Sequence, residues 1–252
     1  MSRERGTTMT TLRTLCLIGM VVIVGGCMQK RYYPPEGGHR ELVPDMGALS
    51  EAEMEKLRVA PVTAREPAVA GIAWIVDDSG GHDGDLPASD RLALVRKLAT
   101  ALERAPFSTV EVLPTTGAGG GTRADEGDLP ALRSAAARFQ HDVLIVVSTH
   151  RNRYDDWNPL AVTYLGVLPV WFVPGNSLAV YASAEACALD VRSGLFLACA
   201  QGQGKAERAL VTTIGREQRM RELSTAALGE AFDAIPETLR QGVRARLARR
   251  AS

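Results

Sequence analysis

The chain has 252 residues, and its 29 Lys and Arg are matched by 29 Asp and Glu, for a formal net charge of zero. Three of the arginines, Arg3, Arg5 and Arg13, lie in a leading segment with the sole acid Glu4, so the chain after residue 26 is slightly acidic, which argues against a nucleic-acid partner. The alanine-rich, aromatic-poor remainder has the makeup of an ordinary α/β domain, and its 226 residues suffice for a full core plus a tether.

The first element is the apolar run from Leu15 to Val24, which ends in Gly25-Gly26-Cys27. It is too short to cross a hydrocarbon core, which needs roughly 20 residues, and it follows the three arginines. It therefore reads as the h-region of a signal peptide. Val24-Gly25-Gly26-Cys27 has the layout of a lipobox, with cleavage between Gly26 and Cys27 and lipidation of the Cys27 sulfur. Met9-Thr10-Thr11-Leu12-Arg13 is a compact n-region by itself, so starts at Met1 and Met9 give the same mature chain. Residues 1–26 are thus expected to be the signal, 27–57 a lipidated N-terminus and flexible tether, and 58–252 a periplasmic α/β domain. The tether contains Tyr32-Tyr33-Pro34-Pro35-Glu36-Gly37-Gly38 and shows no strand pattern, although Ser50 to Leu57 suits one or two helical turns. Thirty such residues span about 100 Å when stretched and roughly 30 Å on average as a coil.

Gly71 to Val76 is a near-continuous apolar run closed by Asp77-Asp78-Ser79-Gly80-Gly81, the pattern of a strand buried on both faces. A helix follows, with Ser89 as its cap, a stripe of Leu92, Val95, Leu98, Ala99 and Leu102, and Pro106 as its stop. Val110 to Leu113 is the second strand. Gly117 to Gly121 is a glycine-rich connector, and Asp128 and Pro130 open a helix with a stripe of Leu132, Ala135, Ala136 and Phe139. Asp142 to Val147 is the third strand. The expected architecture is α/β: a single mixed sheet in strand-helix-strand-helix-strand order, followed by a β-hairpin and a long C-terminal helix.

Beyond Asp156 the pattern turns β-rich, with Pro159, Pro169 and Pro174 interrupting the apolar stretch Leu160 to Val173. Leu178 to Val191 and Leu195 to Ala200 form the hairpin about Arg192-Ser193-Gly194. Closing it on Val191 and Leu195 sets Cys187 opposite Cys199, at what counts as a hydrogen-bonded site. A disulfide and two small buried thiols both fit that pairing. Glu217 to Ala248 is helical with a break or kink at Pro236, and its basic end, Arg244 to Arg250, suits a helix C-terminus.

The chemical motifs are sparse. Asp78-Ser79-Gly80-Gly81 resembles a serine-protease nucleophile segment, but only His39 in the tether lies upstream of it. Gly117 to Arg123 lacks the Gly-Lys-Ser/Thr ending of a phosphate-binding loop. His82-Asp83-Gly84-Asp85 offers metal-ligand types without a second cluster, so no metal or other cofactor is expected. His150, Arg151, Arg153, Asp155 and Asp156 follow the third strand, at the end where α/β sheets often bind ligands. Two functions emerge: a lipid-anchored, non-enzymatic interaction or scaffold component, or a periplasmic ligand-binding domain or hydrolase using Asp77, Asp78, His82 and His150. No catalytic constellation supports the second.

The chain resembles the rhombotarget lipoproteins of Gram-negative bacteria over nearly its whole mature length. The resemblance rests on the lipobox at Cys27, Tyr32-Tyr33-Pro34, Val69 to Val76, Pro106 to Pro114, Asp142 to Val147, Leu165 to Gly175 and Ala188 to Gly194. It implies an envelope address, with the membrane and other envelope proteins as partners, and assigns no reaction. The element order is also similar to the domain shared by TolB N-terminal regions and curli-secretion lipoproteins. Met28 is not the aspartate that commonly retains lipoproteins in the inner membrane. The resemblance therefore implies an anchor in the outer membrane facing the periplasm, with the periplasmic face of the inner membrane as the alternative.

Overall fold

The computed structural model describes residues 50–76, 86–113, 129–157, 176–210 and 215–249, all within one compact unit. A short helix α1 (Glu51–Val59) precedes β1 (Ala68–Val76), α2 (Ala88–Leu102), β2 (Phe107–Val112), α3 (Leu129–Arg138), β3 (Val143–Trp157), β4 (Asn176–Asp190), β5 (Phe196–Leu210), α4 (Arg216–Asp233) and α5 (Ile235–Ala248). The five strands form one mixed sheet in the order β2-β1-β3-β4-β5. β1 lies parallel to both β2 and β3, whereas β4 runs antiparallel to β3 and to β5. The α/β class, the mixed sheet, the hairpin and the helical C-terminus are those expected.

The apolar runs of β1 and β3 are buried on both faces because helices cover both. On one face, Ala70, Ile72 and Trp74 of β1, Val143, Ile145 and Val147 of β3 and the small residues Ala182 to Ala188 of β4 meet Leu98 and Leu102 of α2, Leu228 and Phe232 of α4 and Leu239 of α5. Trp74 packs edge-on against Phe232, with ring centroids 5.3 Å apart. Its indole N–H donates to Thr149 Oγ1 at 3.1 Å, so the buried ring keeps a polar partner. On β5 the approach is closer still. A Cβ on Gly202 would overlap the Ala231 carbonyl oxygen, and one on Gly204 the Ala227 carbonyl, so only glycine lets the α4 backbone rest on this strand. The opposite face holds a smaller core, in which Ala136 of α3 sits against Ala73, Leu144, Val146 and Leu189.

Several boundaries depart from the sequence expectation. β3 does not stop at Val147; it runs to Trp157 because β4 pairs with it along fifteen residues, Val143↔Asp190 to Trp157↔Asn176. The α2 helix begins at Ala88 behind Pro87 with no side-chain cap, while the Ser89 hydroxyl donates to Asp90. Leu92 and Phe139 are 39% and 53% exposed, at the margins of their helical stripes, so neither belongs to the core. The C-terminal helix breaks at Ala234, and Pro236 occupies the first turn of α5, where its missing N–H costs nothing.

The hairpin closes one residue earlier than Val191. The Asp190 N–H donates to the Leu195 carbonyl at 2.9 Å, and Leu189 pairs with Phe196. Leu197 is then skipped in a bulge, after which Ala188↔Ala198 and Cys187↔Cys199 follow the expected register. Gly194, at φ 76°, supplies the left-handed residue of the turn.

Asp190 is the polar centre of this end of the molecule. It is fully buried, and its carboxylate accepts the backbone N–H groups of Arg192 and Ser193 at 2.9 Å, as in an Asx turn. The same carboxylate accepts from the Thr63 N–H, from the Ala64 N–H at 2.8 Å and from the Thr63 hydroxyl at 2.8 Å. Burial alone would raise its pKa. The donors from Ser193, Ala64 and Thr63 outweigh burial and hold it below the ordinary carboxylate value.

Candidate functional site

Because side chains alternate along a strand, every second residue of β3, β4 and β5 points away from α4 and α5. α3 covers this second face near Leu144, Val146 and Leu189. Farther along, the register brings together Ser148, His150, Asn152 and Tyr154 from β3, Tyr181, Ser183 and Glu185 from β4, and Gln201, Gln203, Lys205 and Glu207 from β5. Cys199, Gln201, Gln203, Lys205 and Glu207 are all exposed, so β5 presents a polar stripe at the edge of the sheet.

Two features fix the geometry of that face. Cys187 and Cys199 are direct cross-strand partners and form a disulfide. Their Cα atoms are 4.1 Å apart, the spacing of a non-hydrogen-bonded pair, which corrects the hydrogen-bonded site expected from counting along an unbulged hairpin. Farther out, Tyr154 and Tyr181 meet edge to face at 5.3 Å, and the Lys205 ammonium lies 5.2 Å from the Tyr181 ring centroid while pairing with Glu207. Hydrogen bonding to Glu207, then to Tyr181, raises the Lys205 pKa.

His150 lies within β3 opposite Ser183, not on a loop beyond the strand. Its Nε2 is buried and has no hydrogen-bond partner among the described residues. Asp77, Asp78 and His82 lie outside the described residues, as do Gly26 and Cys27 and the segments 82–85 and 117–123. Arg151 is buried on the opposite face from His150, so the charged residues read as one strand-end cluster are split between the two sides of the sheet. Glu185, Cys187 and Cys199 place a carboxylate oxygen and two sulfurs within 4.8 Å of one another, but the sulfurs are bonded to each other and offer no thiolate. The aromatic and cationic stack of Tyr154, Tyr181 and Lys205 was not singled out by the sequence. The alternation Tyr181, Ser183, Glu185 is its trace there.

Among the described residues no helix is long and apolar enough to cross a membrane. No family model matches the chain, and no curated protein does. Solved structures similar to it include the lipoprotein GNA1162 from Neisseria meningitidis, at 14% identity over 62% of this chain and 94% of that one, with a TM-score of 0.38. A neuraminyllactose-binding hemagglutinin homologue from Helicobacter pylori matches at 8% identity over 76% and 94% of the two chains, with a TM-score of 0.42. The hypothetical protein CT253 from Chlamydia trachomatis matches at 9% identity over 74% and 99%, with a TM-score of 0.35. At these identities and scores the likeness assigns neither family nor activity.

Proposed function

We propose that this chain is a lipid-anchored envelope lipoprotein whose α/β domain, leashed by the residues ahead of α1, acts as a non-enzymatic interaction or scaffold component at the periplasmic face of the outer membrane. The anchor rests on Val24-Gly25-Gly26-Cys27 behind a short apolar run, and the address on the resemblance to the rhombotarget lipoproteins. The observation that carries the interaction role is the exposed edge stripe Gln201, Gln203, Lys205 and Glu207 on β5. Its backbone is fixed by the Cys187–Cys199 bridge and by α4 packed behind Gly202 and Gly204. A rigid row of amides and opposite charges loses little side-chain freedom on docking and forms a wet, polar interface readily.

Site-specific photo-crosslinking in intact cells tests this. A crosslinker at Gln203 should capture a discrete envelope protein, and one at Arg221, on the exposed side of α4, should not. Identical background labelling at both positions would overturn the interaction role. Cys27→Ser should move the protein out of the membrane fraction, since stable attachment needs acyl chains. Met28→Asp should shift it toward the inner membrane.

A further inference from the structure

The segment between α1 and β1 crosses the β4–β5 turn, and the two enclose an open groove of about 620 Å³. That is the size of a small-molecule site. Three cations from three elements line it: Lys56 in the last turn of α1, Arg133 of α3 and Arg192 of the turn. Among the described residues no carboxylate joins the lining. The acid near it, Asp190, is fully buried and already accepts from Thr63, Ala64, Arg192 and Ser193, so it offsets at most one of three positive charges.

The cations are also free to act. Arg133 donates through Nε to the Val191 carbonyl at 2.9 Å and through Nη2 to the Arg192 carbonyl at 3.0 Å, which fixes its guanidinium against the turn. Among the described residues Nη1 has no hydrogen-bond partner, and it occupies the space that a Cβ on Gly194 would take. The side chains of Lys56 and Arg192 make no hydrogen bond or ion pair with described residues. The Ser193 hydroxyl accepts from the Leu195 N–H at 3.3 Å, leaving its proton to donate into the groove. Pro61 and Leu57 add apolar wall beside these donors.

We infer that this groove binds a phosphate ester. Three cations around one concavity, of which Asp190 offsets at most one, repel one another. A tetrahedral phosphate anion, a dianion in a monoester and a monoanion in a phospholipid diester, relieves that repulsion while matching the guanidinium donors. The apolar wall suits the organic part of the ester. Glycerol phosphate, free or as a phospholipid headgroup, is the simplest molecule with that chemistry. The inference concerns a site at the opposite end of β5 from Lys205 and holds whether or not Cys27 is acylated.

Calorimetric titration of the full chain in neutral detergent tests it, using glycerol phosphate, short-chain phosphatidylglycerol and short-chain phosphatidylcholine. Saturable binding of either of the first two is expected, weakened about tenfold or more by the exposed double substitution Lys56→Gln/Arg192→Gln with the melting temperature unchanged. Binding of glycerol phosphate alone identifies a soluble ester as the source, and binding of phosphatidylglycerol alone a lipid headgroup. The inference is overturned if neither binds, if phosphatidylcholine binds as well as phosphatidylglycerol, or if the double variant binds like the wild type.

Discussion

Cys187 and Cys199 face each other across β4 and β5 with Glu185 beside them, its carboxylate 3.8 Å from the Cys187 sulfur. The bridge spans a sequence separation of only 12, so in the chain-entropy view it stabilises the fold by about 3 kcal/mol at most. The Cys187→Ala/Cys199→Ala variant should fold, with a lower urea midpoint and an unchanged far-UV spectrum. Thiol titration of the unfolded, non-reduced wild type should find neither of these two sulfurs reactive. Two free thiols at these positions would refute the bridge.

Asp190→Asn should destabilise the domain by about 3 kcal/mol at neutral pH, because the amide NH2 would confront the N–H groups of Thr63 and Ala64 in a buried site. The pH dependence has a definite sign. The folded-state pKa of Asp190 lies below its unfolded value, so its stabilisation is full above the unfolded pKa, near 3.8. It is lost as pH falls through the lower, folded value. The stability gap between wild type and variant, measured by urea unfolding, should therefore be constant from pH 7 to about pH 5 and narrow below about pH 4. A gap that widened in acid would contradict the assignment.

Gly202→Ala and Gly204→Ala should each cost about 3 kcal/mol, since the added methyl group meets the carbonyl oxygens of α4 rather than a side chain that could turn aside. Gly229→Ala, inside α4, is the opposite case. Its methyl group would touch Leu94 at an ordinary 3.9 Å, and helix propensity should raise stability by about 0.5–1 kcal/mol. Thermal melts of the three variants should move in these two directions.

Phe232→Ala should cost about 4 kcal/mol, because it opens a cavity between α4 and Trp74 in the middle of the larger core. Tryptophan emission should shift to the red as water gains access to the indole. An unshifted spectrum with full stability would mean that α4 does not pack on β1 in this way.

The order of strands and helices was legible because the apolar runs of β1 and β3 and the stripe Val95, Leu98, Ala99, Leu102 are local patterns. What was hidden depends on distant partners. Thr149 to Asp155 looks like a solvated strand end in isolation and becomes strand only because β4 lies beside it. That extension moves His150 from a loop to the middle of the sheet. The bulge at Leu197 reverses the hydrogen-bonding character of the cysteine site, and no residue type announces it. Asp190 did leave a trace: an aspartate two and three residues before Arg192 and Ser193 is an Asx-turn signal. Its reach to Thr63, across 127 positions, is a tertiary event.

That reach sets where the folding unit begins. Val62 and Ala64 are buried and Thr63 and Ala64 satisfy Asp190, so the autonomous piece starts ahead of β1 by at least six residues. Proteases acting on the native protein should nick before Val62 without unfolding it. A cut between Ala64 and Ala68 would instead release the strip that seals the hairpin turn, leaving a charged carboxylate facing water at the base of the sheet.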